Sequence, residues 1–260
     1  MSESGLSISF TDLRLEVAAF LGYGPTASAW ATAQLAEIDR YIQSGLRRFY
    51  YPPASEGVEA GYSWSFLKPV GTITTTASDQ AQDLPAKVGR VVGGFFYDED
   101  YHRRSIVQVS EEAYQASISR SETTGSPRIC RVRTRGGPAL TGQRYEVAWW
   151  PIPDAAYVFT YRYEAYDGPL ADDNPYPLGG MRHSELMLES CLAVAEQRAN
   201  DERGLHTNEF ERLLRAAIQH DRRLGAQHYG RMGHHEEEEV VPRHGDTGGT
   251  YPITYKGSSV

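Results

Sequence analysis

The chain has little of what stabilises small secreted proteins or anchors membrane proteins. Among its 260 residues are only two cysteines, Cys130 and Cys191, which show no metal-ligand spacing. A chain of this length does not need disulfides to fold, so we predict two buried thiols in a reducing compartment. No apolar run approaches the roughly 18 residues that a membrane helix needs, and residues 1–10 do not look like a signal peptide. We therefore expect a soluble, unexported protein that contacts no membrane.

An excess of positive charge is also missing. The 34 acidic residues outnumber the 26 basic ones, and the formal net charge is -8. A generic nucleic-acid binder needs a clustered basic surface that neutralises phosphates. The short basic clusters at 47–48, 102–104 and 131–133 are better explained as solvated faces or subunit contacts. Specific DNA binding is thus disfavoured.

Familiar catalytic and cofactor motifs are absent as well. Residues 22–27 imitate a dinucleotide fingerprint, but a helix precedes them where a strand is required. The run from His234 to Glu239 offers metal ligands without a fixed scaffold. His183 and Glu185 lack the spacing of a zinc-binding helix, and Asp172-Asp173 sits in a Pro-rich loop that favours a turn. We predict no catalytic residue, no cofactor and no bound metal.

Helical periodicity is present at both ends of the chain. Apolar residues recur at helical spacing over about 11–21, with Thr11 as the predicted cap, and over 28–50. Two further helical patterns follow one another between 184 and 224. The glycine and proline residues between these segments indicate turns. Three of the predicted helices are of similar length and amphipathic, so we expect them to bury their apolar faces against one another.

The last two helices predict a helical hairpin with charged outer faces. Ser184 can cap the first helix, Gly204 suits the left-handed residue that ends it, and Thr207 or Asn208 can cap the second. Charged faces of this kind contact either water or a partner subunit. The candidate subunit contacts are Arg198, Arg212, Arg215 and Arg222.

The middle of the chain, 62–166, has the composition of a β module. Short runs rich in β-branched and aromatic residues alternate with turn residues, which indicates an antiparallel sandwich or an open barrel. Alternation from Tyr157 to Tyr163 predicts one aromatic sheet face. Ser110 is expected to cap a short helix that turns Ala113, Tyr114 and Ile118 inward. The predicted strands lie at 64–70, 71–76, 90–97, 105–109, 128–135, 144–150 and 157–166.

The final segment, 230–260, has a composition that cannot build a core alone. Within it Tyr251, Ile253 and Tyr255 alternate with other residues, a pattern that can add to another subunit's sheet or groove. The predicted fold class is therefore α+β: a helical bundle of N- and C-terminal helices, an inserted antiparallel β-sandwich or barrel-like module, and an extended C-terminal tail. Its predicted parts are 1–61, 62–166, 167–229 and 230–260.

Several sequence motifs between Trp30 and Leu224 occur in the same order as in a known family. They are Leu46–Pro52, Trp64–Leu67, Asp83–Pro85 with Gly89-Arg90, Gly125–Arg128, Trp149–Ala155, Tyr161–Tyr163 and His183–Glu196. With them the chain resembles head-to-tail connector, or adaptor, proteins of tailed bacteriophages and prophages, including tail accessory factors. The motifs are structural, and no catalytic residue is carried over.

The resemblance implies a virion structural protein rather than an enzyme. Copies of similar proteins form a ring, usually of twelve, beneath the portal protein, and their C-terminal extensions reach the portal. We therefore expect a homo-oligomeric ring, a dodecamer, that binds the portal protein and a downstream tail or neck protein. DNA would pass through its channel without specific binding. The protein would be made in the host cytoplasm and reside at the head-tail junction of the virion.

Two alternatives remain open at this stage. One is a tail-associated carbohydrate-binding or hydrolytic protein that uses Trp149, Trp150 and Tyr161 as a stacking platform. The same aromatic residues are also explained by a sheet core, because alternation already accounts for them. The other alternative is a different structural protein of the neck or tail tube.

Overall fold

The computed structural model describes residues 4–54, 61–98, 105–121, 123–135, 142 and 144–225. The chain divides into two units, Met1–Gln227 and His228–Val260, and every described residue belongs to the first. The described part has an α+β fold with five α-helices and a curled seven-stranded mixed sheet. The helices are α1 (Phe10–Phe20), α2 (Thr32–Tyr50), α3 (Glu111–Arg120), α4 (Ser184–Ala199) and α5 (Leu205–Gly225). The strands are β1 (Val70–Thr74), β2 (Ala81–Asp83), β3 (Val88–Tyr97), β4 (Ser105–Gln108), β5 (Ile129–Arg135), β6 (Arg144–Trp150) and β7 (Val158–Ala165).

The N-terminal helices begin at other residues than the sequence predicts. Ser9 caps α1 through a reciprocal pair: its hydroxyl accepts from the Asp12 amide at 3.2 Å, and the Asp12 carboxylate accepts from the Ser9 amide at 2.9 Å. This capping box satisfies two amides at once, so Thr11, the predicted cap, lies inside the helix instead. Before α2, Ala27–Ala29 forms a single 3-10 turn, and the helix itself starts at Thr32.

Apolar faces of α1, α2, α4 and α5 meet in one core, and α2 and α4 approach most closely at Gly45. A Cβ atom added to Gly45 would lie 2.6 Å from the Cα of Cys191. The Ser190 hydroxyl donates to the Gly45 carbonyl at 2.6 Å, in the same buried crossing. Fully buried members of this core include Leu13, Val17, Ile38, Ile42, Phe49, Trp64, Cys191 and Val194.

The strands form one sheet in the order β1-β7-β3-β4-β5-β6-β2. Every neighbouring pair is antiparallel except β4 and β5, which are parallel. The chain leaves β4, forms α3 and returns in the same direction, as a crossover requires. The predicted barrel-like module is thus a curled half-barrel, and the prediction that it is antiparallel throughout is wrong.

Two strand predictions also differ from the structure. The strand predicted at 64–70 is absent up to its last residue, Val70, where β1 begins. Trp64 belongs to the helical core, where its indole N–H donates to the Phe49 carbonyl at 2.9 Å, and Ser65–Leu67 is a 3-10 turn. Strand β2 was not predicted, because three residues are too short to show alternation. Strands β5 and β6, both predicted, pair antiparallel along their whole length.

The predicted aromatic face of β7 is confirmed, and it points into the second core. Phe159, Tyr161 and Tyr163 are buried and pack with Phe95 and Trp149. A period-two pattern on a sheet with one packed face gives this result.

The predicted cap of the short helix α3 is also confirmed. The Ser110 side chain accepts from the Ala113 amide, and Tyr114 is buried. The Tyr114 hydroxyl donates to the Trp149 carbonyl at 3.3 Å and so ties the helix to β6. Ala113, however, is exposed, and Ile118 is half-buried. Of the three residues predicted to point inward, only Tyr114 is fully buried.

The Gly45 crossing generates a stability prediction. The Gly45→Ala variant should lower the free energy of unfolding by about 1–3 kcal/mol, because its methyl group forces the two helix backbones apart. Gly168→Ala is the matched control, since a Cβ atom there meets nothing within 4 Å, and its effect should stay within about 0.5 kcal/mol. Chemical denaturation followed by circular dichroism measures both. Equal stability of the two variants would contradict the close approach.

Candidate interaction surfaces

The hairpin of α4 and α5 is held by a buried carboxylate that the sequence did not single out. Glu196 of α4 accepts from the Thr207 amide at 3.0 Å and from the Thr207 hydroxyl at 2.9 Å. Its carboxylate therefore caps the N-terminus of α5, where unpaired amides and the helix dipole favour negative charge. Gly204 is required because a Cβ atom there would collide with this carboxylate.

These contacts correct three predictions about the hairpin. The residue with left-handed backbone in the turn is Asp201, with φ 53°, and Gly204 is not in that conformation. Thr207 does not cap α5, because the helix already begins at Leu205 and the Thr207 hydroxyl donates to Glu196. Ser184 is the first residue of α4, and its hydroxyl accepts from the Ile8 amide at 3.1 Å.

A second buried carboxylate holds the other half of α5. Asp221 accepts from the Tyr62 hydroxyl at 2.6 Å, from the Ser65 amide at 3.0 Å and from the Ser65 hydroxyl. Burial raises the pKa of Asp221, but the hydrogen bonds from Ser65 and Tyr62 outweigh it, so the pKa lies below its ordinary value. Both halves of α5 are thus fixed by acids.

Four arginines were predicted as subunit contacts, and the structure places them on two helices. On α4, exposed Arg198 donates to the Ser44 hydroxyl at 3.1 Å. On α5, Arg212 pairs with Glu209, Arg215 donates to the Glu211 carbonyl, and the Arg222 guanidinium lies 5.5 Å from the Tyr62 ring centroid. These contacts lie within one chain and do not test contacts between subunits. A subunit role therefore stays a prediction for Arg198, Arg212, Arg215 and Arg222.

The predicted stacking platform is not on the surface. Trp149 is 0% exposed and Tyr161 is 1% exposed, while the Trp150 indole N–H donates to the Ser121 carbonyl at 3.1 Å. Two of the three rings are in the core of the half-barrel, so the prediction that the three together form a sugar-binding platform is wrong.

Both cysteines are free and buried, as predicted. Burial raises the pKa of the Cys130 thiol to about 12 and raises that of Cys191 further. His183 is also buried, among the rings of Phe49, Trp64 and Phe66, and burial lowers its pKa. These groups are therefore uncharged parts of the cores at neutral pH.

The tail predictions fall outside the described residues. This applies to Tyr251, Ile253 and Tyr255 and to the run from His234 to Glu239. Within the described ranges no three His, Cys, Asp or Glu side chains are grouped to hold a metal ion. Among the helices of those same ranges, none combines the length and apolar composition needed to cross a membrane.

An open apolar groove separates the end of α2 from the segment that follows β7. Its volume is about 520 Å³, and Leu46, Tyr50, Tyr51, Tyr166 and Leu170 line it. The rings of Tyr51 and Tyr166 meet edge to face at 5.6 Å along its side. Beside Tyr51 a second recess, of about 500 Å³, is lined by several arginines. Neither feature was predicted, because each joins segments that are far apart in the sequence.

A protein-family model of phage head-tail adaptors matches residues 8–232, which include all five helices and all seven strands. The chain belongs to the SU10 adaptor protein family. Among curated proteins, none matches it. Membership in a phage adaptor family is consistent with a structural role in the virion and confirms the family predicted by resemblance.

The Glu196 cap generates a pH-dependent stability prediction. Burial raises the pKa of Glu196, but hydrogen bonds from Thr207, Gly204 and His206 outweigh it and hold the pKa below its ordinary value. The carboxylate therefore stabilises the fold above about pH 4.3, the ordinary value, and this contribution is lost as the pH falls through the folded-state pKa. Glu196→Gln should cost about 1–3 kcal/mol at pH 7.

Denaturation at pH 7 and pH 3 measures this effect. The difference between the original chain and Glu196→Gln should shrink at the lower pH. Glu185→Gln is the control, because Glu185 is exposed on the same helix and its replacement should change the free energy of unfolding by less than about 0.5 kcal/mol. A Glu196→Gln effect that is equal at both pH values would contradict the charged cap.

Proposed function

We propose that this protein is a ring-forming head-to-tail adaptor that docks on the portal protein, extends the DNA channel and provides the attachment platform for the tail. The observation that carries the proposal is membership in a phage adaptor family over residues 8–232. In the proposal the helices from both ends of the chain act as a bundle. The protein is made in the host cytoplasm, resides at the head-tail junction and works by assembly rather than by catalysis.

The charge of the chain supports a channel for DNA. A formal net charge of -8 gives walls that repel phosphate, so DNA slides past them without binding. Such repulsion acts over about 8 Å at physiological salt, which is within the reach of a channel wall. Acidic walls and sparse basic clusters are what transit of DNA requires.

The composition of the surface supports a ring. A ring closes when each copy offers two different surfaces that bind each other, and a dodecamer is the proposed closed form. The chain holds 17 tyrosines, and tyrosine combines a large apolar body with a polar tip that suits protein interfaces. Arg198, Arg212, Arg215 and Arg222 are the proposed ring contacts.

The C-terminal segment 230–260 supplies the proposed portal clamp. In the proposal this segment binds in extended form, with the alternating residues Tyr251, Ile253 and Tyr255 inserted together into a sheet edge or a groove of the portal. An extended segment gives a large contact area, although ordering it on binding costs free energy. The neighbouring tail or neck protein then binds the ring on another surface.

Docking on the portal is testable with purified proteins. The adaptor should bind portal assemblies of its own phage in native mass spectrometry and co-sediment with them. Deletion of 230–260 should abolish this binding. Tyr251→Ala/Ile253→Ala/Tyr255→Ala should weaken it by roughly tenfold or more, because large apolar anchors dominate binding energy.

The matched control is Thr250→Ala/Thr254→Ala, which alters the other side of the same segment. It should bind the portal as the original chain does. Portal binding that survives the deletion would overturn the clamp, and absence of portal binding by the original chain would overturn the adaptor role itself.

A further inference from the structure

Helix α2 carries a negative charge, Asp39, and a positive charge, Arg48, on opposite sides. Asp39 and Arg48 are nine residues apart, which is two and a half turns at 3.6 residues per turn, so they point in opposite directions. The apolar residues between them, such as Ile42 and Leu46, are buried in the core. The two charged sides of the helix therefore flank its buried face, and each continues onto neighbouring segments.

The basic flank comprises four arginines, Arg47, Arg48, Arg198 and Arg203, from α2, α4 and the turn before α5. Arg47, Arg48 and Arg203 line the recess of about 500 Å³, and the acidic residue in that lining is Glu211. In the described part of the chain, none of the four arginines forms an ion pair. Burial and then the like charges of Arg198 and Arg203 lower the pKa of half-buried Arg48.

The acidic flank comprises three aspartates, Asp39, Asp172 and Asp173, with one arginine between them. Arg14 pairs with Asp39 at 2.7 Å and with Asp172 at 3.2 Å, and the Asp172 side chain remains 90% exposed. Asp173 is exposed and, within the described ranges, forms no ion pair. One guanidinium thus pairs with two of the three carboxylates, and this surface keeps an excess of negative charge.

We propose that the basic flank of one copy docks on the acidic flank of a second copy, so that α2 helices stand side by side with matched charges. The contact deepens the ring of the proposed function and rests on it. Because the two flanks differ, the same contact repeats from copy to copy, as closure into a ring requires. Carboxylates from the second copy relieve the repulsion among unpaired arginines and fix the register of the contact.

Charge complementarity favours a second copy over nucleic acid. A phosphate backbone would satisfy the basic flank alone and would be repelled by the rest of an acidic chain. The recess also exposes apolar groups of Tyr51 and Pro53 beside the arginines, and a protein surface can cover these. The acidic flank, which includes Asp39 of the same helix, supplies the carboxylates. A second copy of the chain is therefore sufficient, and no other component is needed.

Paired charge reversals test the contact. Arg47→Glu/Arg203→Glu sets two new glutamates and Glu211 of the recess against the remaining Arg48 and Arg198, so the basic flank becomes weakly acidic. Asp172→Lys/Asp173→Lys makes the acidic flank basic, and all four native residues are exposed. Each variant alone should need a roughly tenfold or higher concentration to self-associate, since like charges then face each other. An equimolar mixture should assemble again, because every contact between unlike variants is complementary. Mass photometry at low and at high salt gives the readout, and circular dichroism confirms folding.

Lys87→Glu/Arg120→Glu is the control for the arginine reversal. It makes the same change of formal charge as Arg47→Glu/Arg203→Glu, at exposed positions outside both flanks. It should assemble as the original chain does. Reversed variants that assemble normally, or a mixture that does not recover, would overturn the inference and leave the adaptor role standing. The inference would also be overturned if Arg47→Glu/Arg203→Glu assembled normally but retained less DNA than the original chain. If the original chain forms no oligomer at any salt concentration, the ring itself is overturned, whereas portal docking is tested separately.

Discussion

The contact between α2 and α4 at Gly45 constrains the rest of the described structure. Two helix backbones approach so closely that a methyl group at Gly45 would overlap the Cα of Cys191. A crossing this tight leaves few alternative registers, because the Ser190 hydroxyl must also meet the Gly45 carbonyl. The positions of both charged flanks of α2 follow from it. So does the position of α5, which is capped by a residue of α4.

The half-barrel depends on the helical core through its entry segment. Trp64 is buried among helix residues. A 3-10 turn follows it, and β1 begins three residues after that turn. The segment after β7 returns to the helices, where the Gln43 amide donates to the Leu170 carbonyl at 3.1 Å. Both connections thus end in contacts with the helices, and the apolar groove lies beside the second of them.

Local patterns predicted much of this fold, and long-range partners explain what they missed. Strand β6 and the inward face of β7 follow from alternation, which neighbouring residues alone determine. Trp64 has the composition of a strand residue, yet a carbonyl of α2 takes its indole N–H. Glu196 and Asp221 have the spacing of surface residues, but both are buried and accept hydrogen bonds from other segments. The basic flank escaped prediction because its members come from separate segments. The predicted cap of α5 was assigned to the wrong residue for the same reason, because the cap comes from another helix.

The two carboxylates that hold α5 have a mechanical consequence. Glu196 fixes the first turn of the helix to α4, and Asp221 fixes its last turns to the segment that enters the sheet. Tension applied beyond Gly225 would unwind only about the last turn of the helix before it met the Asp221 hydrogen bonds. The strain would then be shared between the helices and the half-barrel. Such a path carries load through side-chain anchors rather than through the ladder of a single helix.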